Sequence, residues 1–158
     1  MILLAAALQA AIPGEPGCAQ GRGPAILVEL VDLKDRRGTV KLELYPATKK
    51  DWLEDDRDLR RRGRFFHRVE APVPAYGPVR VCMRAPAPGP YALFVTHNRD
   101  GRNKFSFWID GLGLPGNARL GRARPRLAHG LVELGGGVRA VTVRAQYLRG
   151  LAGFGPIR

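Results

Sequence analysis

The heptapeptide TVKLELY, residues 39–45, alternates without interruption. Val40, Leu42 and Leu44 fall on one side and Lys41, Glu43 and Tyr45 on the other, the period of two that a half-buried antiparallel strand requires. Upstream, AILVELVDL at 25–33 is apolar on both faces and reads as a strand inside a sheet. The short polar connection KDRRG predicts that the two form a hairpin. Further strand signals lie in RFFHRVEAP (64–72), GPVRVCMRA (77–85) and PYALFVTHN (90–98), separated by Pro- and Gly-rich turn chemistry. In the first of these His67, between Phe65 and Val69, reads as a packed histidine. The last signal, VRAVTVRAQY at 138–147, sets Val141, Val143, Ala145 and Tyr147 inward against Thr142, Arg144 and Gln146 outward.

A chain of 158 residues, 45% hydrophobic and 25% charged, has the balance of one folded domain, and 20 Gly with 13 Pro favour turns and strands over helices. The expected fold is all-β, an antiparallel β-sandwich of about seven strands, with one domain over 24–150 and a C-terminal tail at 151–158. One stretch departs from the strand period. Thr48 and Asp51 have the spacing of a capping box, acids at 51–56 precede Arg60, Arg61 and Arg62, and Gly63 closes the run, which predicts a short helix near 49–62.

The N-terminus carries its own signal. MILLAAALQAAI, residues 1–12, is an apolar run too short to span a bilayer, so a secretory signal peptide within residues 1–19 is expected, cleaved somewhere from Ala10 to Ala19, with no transmembrane anchor. Lys and Arg are absent before Arg22, so the usual basic leader is missing, and a buried N-terminal strand or helix is the competing reading. The two cysteines, Cys18 and Cys82, are most simply one disulfide in an exported chain. Alternation puts Val79, Val81 and Met83 inward and Cys82 outward, where an N-terminal strap carrying Cys18 can reach it. Lipidation of Cys18 is the alternative.

The net charge of +12 raises nucleic acid as a partner. Export to the periplasm or beyond removes most of it from reach, so no specific nucleic acid is expected, and a cytoplasmic nucleic-acid-binding protein is the weaker reading. Anionic lipid, acidic polysaccharide or an acidic protein remain as partners. Arg outnumbers Lys by 21 to 5, and a solvated basic surface accounts for the charge equally well.

The stretch FVTHNRDGRNKFSFWIDG, 94–111, holds most of the polar side chains that chemistry could use. Aligning Gly101 with the invariant glycine of a calcium loop leaves only Asn98 and Asp100 at ligand positions, with Thr96 at the first and Phe107 at the bidentate one. No metal and no cofactor are expected. Asp100-Gly101 instead has the chemistry of a hairpin turn. No nucleophile elbow surrounds Ser106, so no catalytic residue is assigned; a small hydrolase using His97 as base is the alternative to a binding module. Sandwiches gather loops at their ends, and His97, Asn98, Asp100, Asn103, Asp110 and Asn117 are candidates for one such surface, beside Arg119, Arg122 and Arg124 in the irregular stretch from 110 to 126.

GPYALFVTHNRDGRNKF, followed by DGLGLPGN, ARLGRARP and the alternating strand that ends in Tyr147, resembles the bacterial family DUF2141 from about Ile26 to Tyr147. The resemblance implies an exported sandwich of the transthyretin-like or carboxypeptidase-regulatory-like kind, close to an Ig-like architecture, with no assigned activity. The family loop commonly runs His-Asp-x-Asn-x-Asn/Asp-Gly. Here Asn98 stands for the first acid, and Arg99, Arg102 and Lys104 interleave the rest. Tyr147-Leu148-Arg149-Gly150 differs from the Tyr-Arg-Gly-Ser tail of the transthyretin-like enzyme that hydrolyses 5-hydroxyisourate by an inserted Leu and a missing Ser.

Overall fold

The computed structural model describes residues 12–16 and 18–158, so the expected signal peptide lies largely outside the described residues. Ten strands form two sheets among the described residues. The smaller sheet places β1 (Ala25–Val31) between β4 (Val79–Arg84) and β8 (Val138–Arg144). The larger runs β10 (Phe154–Pro156), β9 (Gln146–Leu148), β6 (Gly111–Gly113), β5 (Gly89–Asn98), β2 (Thr39–Pro46), β3 (His67–Pro72), with β7 (Leu131–Leu134) also paired to β5. All pairings are antiparallel except β1 with β8, which is parallel.

Two local expectations give way to the tertiary arrangement. β1 and β2 do not form a hairpin, because both edges of β1 are taken by β4 and β8 while β2 pairs with β3 and β5. Residues 32–38 therefore cross from one sheet to the other, with Asp32 and Gly38 at positive φ, and Arg99 clamps the crossing through an ion pair to Asp35. The single long strand expected over 138–147 breaks after Arg144 and changes sheet. Asn117 marks the break, its amide donating to the Thr142 carbonyl at 3.0 Å and accepting the Arg144 N–H at 2.8 Å. Beyond it Gln146 is buried rather than outward, accepting the Leu120 N–H and donating to the Ala118 carbonyl. Residues 151–158, read from sequence as a tail, supply β10.

The alternating faces meet as expected between the sheets. Ile26, Val28 and Leu30 of β1 and Val79, Val81 and Met83 of β4 pack against Val40, Leu42 and Leu44 of β2 and Tyr91, Leu93 and Val95 of β5. His67 lies half-buried on β3 and pairs with Glu15. A second apolar cluster covers the outer face of the larger sheet, where Tyr45, Ala92, Phe94 and Leu112 pack under Trp52, Leu59, Leu114, Leu120 and Phe154. The outward row of β2 is thus covered too: Tyr45 meets Trp52 edge-on at 5.5 Å, and Lys41, buried, donates to the Asn103 carbonyl at 3.3 Å.

The helix is shorter than expected. Residues 48–52 make a turn in which the Thr48 hydroxyl accepts the Asp51 amide, as a capping box requires, but the Asp51 carboxylate accepts that hydroxyl instead of the Thr48 amide. Asp51 is also held by Arg64 at 2.6 Å and Arg62 at 3.3 Å, and the Arg64 guanidinium foremost keeps its carboxyl below the usual carboxylate range. The helix α1 (Asp56–Arg61) starts after Asp55, whose carboxylate accepts the Arg57 N–H. A single turn, α2 (Leu127–Gly130), leads into β7.

Cys18 and Cys82 are bonded, with Cα atoms 5.9 Å apart. The strap reaches the bridge by pairing with the free edge of β4: Cys82 donates to the Pro13 carbonyl and its own carbonyl accepts the Glu15 N–H, each at 3.0 Å. Gly14 lies flat against Cys82, its φ of 119° and the Cys82 backbone leaving no room for a Cβ. The strap so covers an edge that would otherwise offer unpaired backbone to another chain. Replacing both cysteines by alanine should lower stability by about 4 kcal/mol in the loop-entropy view of a bridge closing this length of chain. Urea unfolding of the oxidised protein and the variant, followed by circular dichroism, reads this directly; coincident curves would show the bridge to be thermodynamically idle.

Candidate functional site

The inward row of β5 continues from Val95 to His97, which is 1% exposed. Its Nε2 lies 2.7 Å from the Arg37 carbonyl, which only accepts, so Nε2 carries the proton. In the neutral ring Nδ1 then accepts the Tyr147 hydroxyl at 2.6 Å, and the Tyr147 oxygen in turn accepts the Lys34 N–H at 3.0 Å. This tautomer satisfies every polar atom of the pair. Burial pushes the imidazole below its ordinary pKa, outweighing the Arg37 carbonyl and the nearby Asp35 carboxylate. With both nitrogens engaged and the ring shielded from water, His97 has no lone pair to offer as a base. Its chemistry is that of a core pin joining β5, the 32–38 crossing and β9.

The neighbouring polar residues complete a scaffold around residues 99–110. Asn98 is buried, its amide donating to the Arg102 carbonyl at 2.9 Å and accepting the Gly101 N–H at 3.1 Å. Asp100 accepts the Arg102 N–H, and Asp110, also buried, accepts the Arg99 and Ser106 amides at 2.8 and 2.9 Å. Asp100 and Gly101, the latter at a φ of 71°, do turn the chain. They do not make a tight hairpin, because β5 meets its next partner, β6, only after residue 110, with His97 opposite Gly111. Among the described residues no three His, Cys, Asp or Glu side chains gather into a set that could hold a metal ion.

What the 99–110 loop and the later excursion enclose is a cleft of about 720 Å³ on the outer face of the larger sheet. Phe94, Leu112 and Leu148 form its floor, Phe105 and Phe107 one wall, and Leu120, Phe154 and Leu53 add further apolar lining beside the 121–125 segment. Arg122 and Arg124 are the charged residues of the lining, which contains no carboxylate. Arg124 donates to the Leu53 carbonyl at 3.2 Å, while Arg122 makes no hydrogen bond or ion pair among the described residues. This volume and composition fall in the range of small-molecule sites, which are mostly apolar with a few polar groups.

The sequence-derived set therefore divides. His97, Asn98, Asp100 and Asp110 are internal scaffold, Asn117 staples the sheet change, and exposed Asn103 lends its carbonyl to Lys41. Exposed Arg119 lays its guanidinium over Gly155. Arg122 and Arg124 alone reach the cleft. Its aromatic walls were not anticipated, although the signal was present in FSFWI at 105–109, an apolar run in a segment otherwise read as a polar turn.

Removing the Tyr147 hydroxyl by Tyr147→Phe leaves Nδ1 of His97 without a donor and should cost about 1–3 kcal/mol of unfolding free energy, read by urea titration. The same histidine sets a pH dependence. Its folded pKa lies below the unfolded value of about 6.5, so its contribution is complete above that pH and is lost as pH falls from there toward the depressed folded value. Unfolding midpoints should decline below neutrality, and a flat profile from neutral to mildly acidic pH would contradict the assignment of a neutral buried ring.

No curated protein and no solved structure matches this chain. The model of the family described as "Uncharacterized protein conserved in bacteria (DUF2141)" matches residues 28–142, from β1 through most of β8, and the chain belongs to that family.

Proposed function

We propose that this protein is an exported β-sandwich module that binds an anionic partner through the cleft face of its larger sheet and performs no chemistry of its own. The observation that carries the reading is the cleft: apolar walls, Arg122 and Arg124 at its rim, and no Ser, Cys, His, Lys, Tyr or carboxylate in its lining to act as nucleophile, acid or base. A net charge of +12 adds long-range attraction for an anion. The engaged nitrogens of His97 argue against the hydrolase alternative.

Export is supported by the Cys18–Cys82 bridge, a bond that persists in oxidising compartments, together with the apolar run at 1–12. Because the bridge uses Cys18 and the strap uses Pro13 to Glu15, processing near Ala10 suits the fold better than processing after Cys18, and lipidation would compete with the bridge. Among the described residues no helix is long and apolar enough to cross a membrane.

Binding to anionic vesicles and to an acidic polysaccharide, each against a neutral counterpart, tests the reading. Retention should favour the anionic matrices, weaken as salt rises above about 0.15 M, and drop sharply for Arg122→Glu combined with Arg124→Glu. Arg22→Glu combined with Arg139→Glu, both exposed and outside the cleft lining, serves as the charge-matched control. Equal retention on neutral matrices, or indifference to the double reversal, would overturn it. Non-reducing mass spectrometry of protein from its native host should find a processed N-terminus ahead of Cys18 and no free thiol; an intact Met1 with two free thiols would remove export.

A further inference from the structure

The lining of the cleft restricts its occupant beyond charge. Between the floor of Phe94, Leu112 and Leu148 and the opposing Phe105, Leu120 and Phe154, no side chain can donate or accept a hydrogen bond. A sugar, peptide or heterocycle buried between these side chains would find none of them to satisfy its polar atoms, which weighs against its apolar contacts. A hydrocarbon chain makes no such demand. At the rim the requirement reverses. Arg122 has no partner among the described residues and Arg124 spends one nitrogen on the carbonyls of Leu53 and Trp52, so guanidinium donors remain for an oxyanion. The lip is apolar as well. Phe107, itself part of the wall, is 63% exposed, the adjoining Trp108 is 85% exposed, and Leu151, between the lining residues Gly150 and Gly153, is 91% exposed.

Apolar depth, cationic rim and greasy lip together fit one ligand chemistry. We infer that the cleft binds a single-chain anionic amphiphile, its alkyl chain against Phe94, Phe105, Phe154 and Leu120 and its carboxylate or phosphate head on Arg122 and Arg124. This rests on the anionic-partner reading above and adds the chain. The exposed Phe107, Trp108 and Leu151 give the hydrocarbon an apolar path into the cleft without crossing open water.

The oxidised protein is titrated calorimetrically with octanoate, decanoate and dodecanoate, with dodecyl phosphate, and with acetate and dodecyl maltoside as the head-only and neutral-head controls. Tryptophan emission provides a second readout, because Trp52 packs against the cleft residue Phe94 at 6.3 Å. Saturable one-to-one binding is expected, tightening about fourfold per methylene until the cleft is filled. Arg122→Glu should weaken dodecanoate on the order of tenfold, and Phe107→Ala should weaken it too. Both residues are exposed, and circular dichroism is the check that each variant folds. Preference between dodecanoate and dodecyl phosphate identifies the head group, either result supporting the site. Dodecyl maltoside binding as tightly as dodecanoate overturns the role of the arginines, and affinity independent of chain length overturns the chain. If no amphiphile binds while acidic polysaccharide is still held through Arg122 and Arg124, the present inference fails and the anionic-partner reading stands. Failure of both sets ends both.

Discussion

A strand with apolar side chains on both faces has to be covered twice, and β5 is such a strand. From Tyr91 to Asn98 every residue is buried. One row faces the smaller sheet through Tyr91, Leu93 and Val95, and the other, with Ala92 and Phe94, requires a second cover. The Trp52 turn, α1 and the long excursion after β6 provide that cover. A half-exposed antiparallel sheet would have left this face to solvent; here it becomes a third layer, and a cover built of loops encloses a cleft where its packing is incomplete.

The rest of the molecule is organised to hold those loops without regular structure. Buried polar side chains do so by bonding the backbone amides and carbonyls of the loops. Asp110 receives two backbone amides of its own loop, Asn98 closes the Asp100-Gly101 turn, and Gln146 ties the excursion to β9 through Leu120 and Ala118. Asp51 fixes the Trp52 turn through Thr48 and two arginines, and burying that carboxylate is tolerable because both its oxygens are hydrogen-bonded and its charge is paired. His97 serves the same end from within the core. The polar side chains that stand out in the 94–111 stretch are thus mainly engaged in holding the loops, and the cleft is lined largely by phenylalanine, leucine and two arginines.

The bridge has a comparable role on the opposite side. The smaller sheet has only three strands, and one of its edges, β4, is covered by the strap that carries Cys18, with Cys18, Cys82 and Ala25 forming a small apolar cluster on its outer face. The other edge, β8, is capped at its C-terminal end, where the Asn117 side chain bonds Thr142 and Arg144. The β4 edge is therefore covered by a short strap and the end of the β8 edge by a single side chain, in a sheet too narrow to shield itself.

Sequence alone determined what depends on neighbours along the chain. Strict alternation in 39–45 and 79–84 set the inward faces, the outward thiol of Cys82 set the bridge, and Gly-Pro punctuation set most strand ends; each is read from a period of two or from local backbone chemistry. Tertiary structure decided what depends on which surfaces meet. Two adjacent strands can pair as a hairpin or face each other across a sandwich with the same inward residues, so the separation of β1 from β2 was invisible in their alternation. The change of sheet after Arg144, the burial of Gln146 and the division of the loop residues between scaffold and cleft likewise follow from contacts among segments far apart in the chain. A pattern of polarity records that a side chain needs a partner or a cover, and only the folded chain supplies which one.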